Sequence, residues 1–269
     1  MSRETFLKSV TVIDTETTHL NTELAEIVEL AGARYDGNNW QVESRLLGAV
    51  NGIPPEASAK NNISRRMIEG LPTWNDSIPA CMNILNWPSS RYWVAHNCAY
   101  DQKVLETAWN NSPAEHQHNA VLAQDRGVWI CTHRLSKRLL NVDFPSMEYN
   151  LSYLRYRLDL PVSDDLPAHR ANADTYVCAV LFEFLVDYAL ATSAVIDGPD
   201  LGDQIHALCW NPIKLATWPF GKHKGQPFSA IPTDYYLWAM ENLDALKEGS
   251  ASYDADLAGS VADELTTRL

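Results

Sequence analysis

The segment Lys8–Asp14 (KSVTVID) constrains the fold more than any other part of the chain. Its β-branched residues predict a buried strand, and Thr15 and Glu16 follow directly. Side chains alternate along a strand, so the carboxylates of Asp14 and Glu16 point to one face. Two carboxylates on one face repel each other unless a cation lies between them. The pair therefore indicates a cation site at the rim of a core, and two solvated acids at a strand end are the alternative.

The segments that follow predict an α/β fold. Two more strands are expected at Glu26–Tyr35 and Trp40–Ala49, joined by a hairpin turn at Asp36–Asn39. Pro54–Pro72 is expected to be irregular with one short helix. Further along come, in order, helix Trp74–Leu85, strand Arg91–His96, helix Tyr100–Trp109, strand Val128–Cys131, and helices Thr132–Leu140, Tyr149–Leu158 and Ala171–Ala191. Three strands followed by this alternation indicate a mixed sheet flanked by helices.

Two further carboxylates and a histidine complete an ordered set. Asp101 follows a middle strand near the start of a helix, and Asp174 lies one turn inside the longest helix, on its apolar face. A buried carboxylate without a partner is costly, and a metal ion would be such a partner. His169 precedes that helix in a polar stretch, from which its ring could reach the site. The alternatives are a helix-dipole contact for Asp101 and a solvated surface ring for His169.

This ordered set resembles the DEDD exonucleases of the His-type branch. Within that branch the chain resembles the exodeoxyribonuclease X-like family over most of its length. The segments that carry the likeness are Asp14–Thr17, Tyr92–Asp101, Trp129–Thr132, His169–Asp174 and Phe220–Gly225 (FGKHKG), with Tyr236 and Trp238 after the last.

The chain departs from that family at three places. His19 stands where glycine is usual, Asn61–Ser64 stands where His-Gly-Ile-Thr is common, and Tyr100 replaces a frequent phenylalanine. None of these changes removes a carboxylate of the set or His169. They bear on how a terminal nucleotide is gripped.

The resemblance implies a ribonuclease H-like fold and two-metal hydrolysis of DNA from its 3′ end to 5′-mononucleotides. Asp14, Glu16, Asp101 and Asp174 would hold two Mg²⁺ ions, with Mn²⁺ as a substitute, because these ions suit all-oxygen ligands. Asp14 would bridge the ions, and Glu16 and Asp174 would hold the ion that carries the attacking water. Asp101 would act mainly through the outer coordination shell. His169 would take the proton from the water as general base.

The same likeness points to residues around the substrate. The candidates at the terminal nucleotide are Thr15, Thr17, Leu20, His96, Asn97 and Tyr100. Tyr100 is placed to stack on the sugar or base, and ordinary core packing is the alternative for Leu20 and Tyr100. Possible contacts to DNA elsewhere are Arg134, Lys137, Arg138, Lys222 and Lys224. For the first three, which share a helix, a solvated basic face is the alternative.

The charge of the chain is unevenly distributed. The formal net charge of −13 alone argues against a nucleic-acid partner, but ions held by clustered acids restore positive charge locally. Residues 211–230 carry three lysines and no acid, whereas residues 248–269 carry five acids and one arginine.

We expect an exonuclease domain at 1–192, a linker at 193–210, a small module at 211–247 and an acidic tail at 248–269. Within the module, Gly221 and Gly225 predict a tight turn whose lysines grip DNA, and an aromatic mini-core with solvated lysines is the alternative.

Several other classes are disfavoured. The five cysteines are scattered and form no CxxC pair, which argues against disulfides or zinc and favours a reducing cytoplasm. The charged start Met1–Lys8 lacks the apolar stretch of a signal peptide, and the longest apolar run contains two acids, so no membrane association is expected.

Two alternatives for the function stay open. One is the same chemistry on another substrate, as in an RNA-trimming ribonuclease or a proofreading subunit. The other is an inactive nucleic-acid-binding module, against which the presence of all five catalytic residues speaks. Single strands and duplex 3′ ends both fit as DNA substrates, and the oligomeric state is not indicated.

Overall fold

The computed structural model describes residues 2–86, 89–140, 148–163, 165–166, 169–248, 250 and 253–268. The chain divides into two compact units, which we call the N-terminal unit (Met1–Cys209) and the C-terminal unit (Trp210–Leu269). Among the described residues, no helix combines the length and the apolar character needed to cross a membrane.

The N-terminal unit is built on one mixed sheet. Its strands are β1 (Val10–Thr17), β2 (Ile27–Tyr35), β3 (Trp40–Leu46), β4 (Tyr92–Ala95) and β5 (Trp129–Cys131). They lie in the order β3-β2-β1-β4-β5, in which β1, β2 and β3 pair antiparallel and β1, β4 and β5 pair parallel. The mixed sheet flanked by helices that the sequence predicts is confirmed.

Helices occur in both units. Those of the N-terminal unit are α1 (Arg3–Lys8), α2 (Pro55–Asn61), α3 (Arg65–Ile68), α4 (Trp74–Ile84), α5 (Ala99–Asn110), α6 (His118–Gln124), α7 (Thr132–Leu140), α8 (Leu151–Arg157), α9 (Ala171–Ala191) and α10 (Leu201–Trp210). The C-terminal unit contains α11 (Thr233–Asn242) and α12 (Ala255–Arg268). Short 3₁₀ turns cover Ala114–His116, Arg126–Val128, Gly221–His223, Phe228–Ala230 and Asp244–Leu246.

Strand β1 occupies the middle of the sheet. A central strand pairs on both edges and is covered on both faces, so it must be apolar nearly throughout, as Val10, Val12 and Ile13 are. Because β1 and β4 run parallel, their C-terminal ends meet at one edge of the sheet. The residues that end β1 and those that lead from β4 into α5 therefore lie together.

Helix α9 covers the antiparallel half of the sheet. It packs against β1, β2 and β3 with buried residues such as Val177, Leu181 and Leu185. Along most of its length α9 is apolar on nearly every side, which is typical of a helix that is buried within the fold. The first turn of α9 reaches the edge at which β1 ends, and this brings Asp174 to that edge.

The structure differs from the expected elements in the region that we predicted to be a linker, 193–210. Residues 201–210 form α10, whose Leu201, Ile205 and Cys209 are fully buried. Gly202 lies against the rings of Tyr92 and Phe6, where an added Cβ would come within 2.8 Å of Tyr92. The helix therefore belongs to the N-terminal unit rather than to a connector. Helix α1 was also not predicted, and Pro54–Pro72 contains two short helices instead of one.

The C-terminal unit differs from the expected division into a module and an acidic tail. Its core is formed by Trp218, Phe228, Ile231, Tyr236, Ala239, Leu257, Val261 and Leu265. The last three belong to α12, whose buried apolar residues recur every fourth position. The predicted tail is thus one wall of this small core. As predicted, Gly221 and Gly225 have positive φ values, 63° and 79°, and shape a tight turn.

Candidate active site

Three carboxylates meet where β1 ends. Asp14 and Glu16 stand two residues apart on β1, and Asp174 comes from the first turn of α9. Ligand oxygens from these three residues all lie within 4.8 Å of one another. The side chains are half-buried, so the cluster borders solvent at the edge of the sheet. This arrangement offers oxygen ligands from two elements to one small space.

The fourth predicted carboxylate, Asp101, lies beside this cluster but is held differently. It is 4% exposed, and its Oδ1 accepts hydrogen bonds from the backbone N–H (3.1 Å) and the hydroxyl (2.8 Å) of Thr15. Side-chain alternation turns Thr15 away from the face of Asp14 and Glu16, toward α5. Thr15 therefore orients Asp101. We had predicted a contact between Thr15 and the substrate instead.

Burial raises the pKa of all four carboxyl groups. Desolvation raises the pKa of Asp14 well above its usual range, and the charges of Asp101 and Glu16 add to the effect. The pKa of Glu16 is raised to about 8 by desolvation first and the charge of Asp174 second. Desolvation also raises the pKa of Asp174, and it raises that of Asp101 to about 7 against the hydrogen bonds from Thr15. Crowded, desolvated acids of this kind are relieved by a bound cation.

The donor set fits a hard divalent cation. Only carboxylate oxygens contribute to the cluster, and neither a cysteine sulfur nor a histidine nitrogen joins it among the described residues. Oxygen-only sets favour Mg²⁺, Mn²⁺ and Ca²⁺ over zinc or copper. The cluster is therefore a site of the kind that holds a divalent cation.

His169 stands at the entrance to α9, next to Asp174. Its backbone N–H donates to Oδ2 of Asp174 (3.1 Å), and its side chain is exposed. The residue has a φ of 61°, a left-handed conformation that is uncommon for residues other than glycine. The fold therefore keeps the ring at the rim of the carboxylate cluster, beside one of its ligands.

A buried ion pair that we did not predict supports this entrance. Glu29 on β2 is 1% exposed and lies opposite Glu16 in the sheet, so both point to one face. Arg170 binds it with two hydrogen bonds of 3.0 Å each, and the N–H of Ala171 adds a third at 3.2 Å. Arg170 is also the residue that caps α9, so the pair ties the start of that helix to the sheet. The signal in the sequence was a lone acid within the apolar strand IVELA, which requires a cationic partner.

The residues predicted around a terminal nucleotide divide into two groups. Thr17 and Tyr100 hydrogen-bond each other through their hydroxyls, and both hydroxyls contact the carbonyl oxygen of His19. A β-bulge between Glu16 and Thr17 turns Thr17 out of the regular alternation. Leu20 is 88% exposed, which excludes core packing for it. These residues form one rim beside the cluster.

His96 and Asn97 make up the other group. One ring nitrogen of His96 is hydrogen-bonded to the hydroxyl of Thr132 and the other to the carbonyl oxygen of Tyr149, both at 2.9 Å. Burial lowers the pKa of His96 to about 4, so the ring is neutral and donates Nε2–H to Tyr149. Both nitrogens are thus engaged in the fold, and none remains for a substrate. Asn97 is exposed in a left-handed conformation, φ 64°.

One of the family departures, Asn61–Ser64, has a local structural explanation at its first two residues. Asn61 is buried, accepts a hydrogen bond from the N–H of Ile63 and donates to the carbonyl oxygen of Thr17. It thereby holds the end of β1. Asn62 ends α2 with a φ of 58°, a conformation that asparagine tolerates better than most residues.

The predicted basic residues are placed unequally. On α7, Arg134, Lys137 and Arg138 are half-buried, and Nε of Arg134 donates to the carbonyl oxygen of Cys209 (3.0 Å). Arg134 is therefore engaged in the fold. Lys222 and Lys224 are exposed in the glycine turn of the C-terminal unit.

Comparison with known proteins points to one family. The model of the exonuclease (RNase T) family matches residues 11–182, which contain the whole carboxylate cluster and His169. Exodeoxyribonuclease 10 of Escherichia coli (strain K12) is 28% identical over 241 residues, covering 87% of this chain and 92% of that protein. DNA polymerase III subunit epsilon of Treponema pallidum (strain Nichols) is 26% identical over 183 residues, covering 65% of this chain and 75% of that protein.

Solved structures agree with this match. A structure of exonuclease X in complex with 5′ overhanging duplex DNA superposes with a TM-score of 0.53 at 26% identity, covering 74% of this chain and 99% of that one. Exonuclease I of E. coli with a dT13 oligonucleotide has the same fold, with a TM-score of 0.53 at 14% identity, covering 68% of this chain and 42% of that one. With a family match over more than half of its length, this chain belongs to the exonuclease family.

Proposed function

We propose that this protein is a 3′→5′ exodeoxyribonuclease that releases 5′-mononucleotides from DNA with Mg²⁺ as its metal. The observation that carries the proposal is the cluster of Asp14, Glu16 and Asp174, with His169 at its rim. The substrate class is supported by exodeoxyribonuclease 10, which is similar over nearly the full length of both chains, and by the DNA complex of exonuclease X.

Four carboxylates would hold the metal ions. Asp14, Glu16 and Asp174 would supply ligands directly, and Asp101 would act mainly through the outer shell, since its Oδ1 already accepts two hydrogen bonds from Thr15. Mg²⁺ suits such a set because it prefers oxygen and keeps several waters, and Mn²⁺ would replace it. When bound, a pair of such ions stabilises both the attacking and the leaving oxygen of the phosphodiester.

His169 would act as the general base. A ring nitrogen accepts a proton from the attacking water, while the backbone N–H of the same residue stays bound to Asp174. The Glu29–Arg170 pair holds the start of α9 against the sheet, and so it fixes where the ring can lie. The leaving group is the 3′-oxygen of the next nucleotide.

The rim beside the cluster would receive the terminal nucleotide. Leu20 offers an exposed apolar side chain, and Tyr100 offers a ring whose hydroxyl is tied to Thr17 and His19. Exposed Asn97 is available for a polar contact. Farther along the DNA strand, we propose that Lys137 and Arg138 of α7 contact the DNA phosphates on behalf of the N-terminal unit.

The experiment measures release of mononucleotides from end-labelled single-stranded DNA and from RNA of the same sequence, with Mg²⁺ and with EDTA. A 3′ label should appear at once as mononucleotide, whereas a 5′ label should stay on progressively shorter strands. The Asp14→Asn variant serves as the inactive control. Faster release of mononucleotides from RNA than from DNA would indicate a ribonuclease. No release from DNA or from RNA would indicate an inactive nucleic-acid-binding module.

The cellular setting that we propose is the cytoplasm. None of the five cysteines forms a disulfide bond and all are buried, in agreement with a reducing compartment.

A further inference from the structure

The C-terminal unit contains an open pocket that the catalytic site does not use. Its volume is about 600 Å³, and it is lined by Lys222, His223, Pro232, Asp234, Tyr235 and Trp238. These residues come from the glycine turn and from the first half of α11 with the proline before it. The volume lies within the range of small-molecule binding sites.

One wall of the pocket is aromatic and partly open to solvent. The rings of Tyr235 and Trp238 stack with centroids 5.3 Å apart and an angle of 30°. Tyr235 also packs edge-on against Trp218, which is fully buried in the core of the unit. Trp238 is 48% exposed, although tryptophan is one of the more buried residue types. The wall therefore presents an indole surface that is anchored from behind.

Positive charge lies against this aromatic wall. Nζ of Lys222 lies 4.7 Å from the centroid of the Tyr235 ring, and the ring of His223 lies edge-on to Tyr235 at 4.3 Å. Among the ion pairs between described residues, Lys222 and Lys224 take no part. Lys214 and Lys247, in contrast, pair with Asp263 and Asp244. A ring rather than a carboxylate thus holds Lys222, which leaves its charge available to an anion.

The turn that carries Lys222 is closed by its own backbone. The N–H of Trp218 donates to the carbonyl oxygen of Gln226 (2.9 Å), and the N–H of Gly225 donates to that of Trp218 (2.8 Å). Gly221 and Gly225 supply the left-handed conformations that this closure needs. The cation and the aromatic wall are therefore held facing one pocket by backbone structure.

We propose that this pocket binds one unstacked nucleotide of single-stranded DNA, with its base on Trp238 and its phosphate at Lys222. A nucleotide carries both a base, which can stack on the aromatic wall, and a phosphate, which can pair with the cation in the same pocket. Asp234 also lines the pocket and would repel the phosphate, so the phosphate is expected on the Lys222 side. A base within a duplex already has both faces stacked, which restricts the site to single strands. This inference rests on the proposed function, because DNA is the ligand in both, and it adds a contact outside the catalytic cluster.

The test measures the affinity of the full-length protein for a fluorescein-labelled oligothymidylate by anisotropy, in EDTA and at several salt concentrations. Trp238→Ala should weaken binding by about 5- to 150-fold, the equivalent of about 1–3 kcal/mol for one stacked base. Leu237→Ala is the matched control, because Leu237 precedes Trp238 on α11 and is 51% exposed. Trp238→Phe keeps a stacking ring and should retain most of the affinity.

A second pair of variants tests the phosphate contact. Lys222→Ala should flatten the dependence of log affinity on log salt by about 0.7, the value for one phosphate contact on a single strand. Lys247→Ala removes an equal charge from the same unit at a residue already paired with Asp244, and it should leave the slope unchanged.

The results separate this inference from the proposed function. The same preparations are assayed for mononucleotide release at saturating DNA with Mg²⁺, where the control variants Leu237→Ala and Lys247→Ala should match the wild type. A wild type that is inactive on DNA would overturn the proposed function. An active wild type with equal affinities for Trp238→Ala and Leu237→Ala would overturn only the pocket assignment. Equal weakening on blunt duplex and on single strands would also overturn it, because a duplex offers no unstacked base.

Discussion

Replacing Glu16 by glutamine should stabilise the metal-free N-terminal unit. Glu16 is half-buried beside Asp14 and Asp174, and it lies opposite the buried Glu29 in the sheet. Without a cation this environment disfavours the charged form and raises the pKa of Glu16 to about 8. Glutamine keeps the shape and removes the charge, so the folded state no longer has to hold a proton or bury an anion.

The magnitude follows from the pKa of Glu16 in the two states. The ordinary pKa is 4.5 and the folded pKa is about 8, so between these values the folded protein holds a proton that the unfolded chain releases. Each pH unit in this range lowers the free energy of unfolding by about 1.36 kcal/mol. From pH 4.5 to pH 7 this amounts to at most about 3 kcal/mol. The contribution of protonated Glu16 to stability is therefore fully present below pH 4.5 and is lost as the pH rises toward 8.

The assay is urea unfolding in EDTA at pH values from 4.5 to 8, read by hydrogen-exchange mass spectrometry of peptides from β1 and α9. These peptides report on the N-terminal unit alone. At pH 7 the Glu16→Gln protein should exceed the wild type by up to about 3 kcal/mol, and the two should converge near pH 4.5. Added Mg²⁺ should reverse the order, because the wild type then gains a bound cation and the variant has lost a ligand.

Glu115→Gln is the control, since Glu115 is an exposed glutamate in a 3₁₀ turn. It should leave stability unchanged at each pH, with and without Mg²⁺. A metal-free wild type that is as stable as Glu16→Gln at pH 7 and pH 8 would refute the electrostatic account of the cluster.

Three further predictions concern the same site. Asp174→Asn should abolish nucleotide release in Mg²⁺ while circular dichroism stays unchanged, because it removes one of three clustered ligands; substantial activity would contradict the metal assignment. His169→Ala should lower turnover by about 10²–10⁴-fold and remove the rise of rate with pH on the acid side, and an unaltered pH profile would reject the general base. Arg170→Ala should cost the N-terminal unit about 3–5 kcal/mol in urea unfolding, because Glu29 is left buried and unpaired. Combining it with Glu29→Gln should recover most of that loss, and equal stability of the single and double variants would argue against the pair.

Local patterns in the sequence predicted much of the fold and identified candidates for the catalytic residues. The β-branched run before Asp14 predicts a buried strand, and the period of two places Glu16 on the same face, because both follow from backbone geometry alone. The glycine pair at 221 and 225 likewise predicts a turn from the conformations that glycine allows. The assignment of the whole set to one site came from the likeness of the motifs to an exonuclease family.

The places where prediction and structure differ depend on contacts between distant segments. Thr15 and His96 were expected to touch substrate, but Thr15 binds Asp101, and His96 binds Thr132 and Tyr149. A polar side chain next to a motif is equally compatible with binding a ligand and with holding a neighbour. Only the positions of the partners, 36 to 86 residues away, distinguish the two.

The linker and the acidic tail show the same limit. The Gly, Asp and Pro residues at 197–203 suggest a connector and the acids at 248–269 suggest a tail, but α10 and α12 each bury an apolar stripe. An apolar stripe of three residues is buried only when another apolar surface of the fold packs against it. The sequence of the stripe alone does not show whether such a surface exists.

What the sequence by itself determined is which residues are chemically able to act: the acids that can hold a cation, the histidine that can take a proton, and the strand that carries the first pair. What only the tertiary structure decided is how each is held. Arg170 and Glu29 are 141 residues apart in the chain, yet they join the start of α9 to the sheet beside Asp174 and His169. Local preference cannot specify such a pair, because its stability depends on the desolvation that the assembled fold imposes.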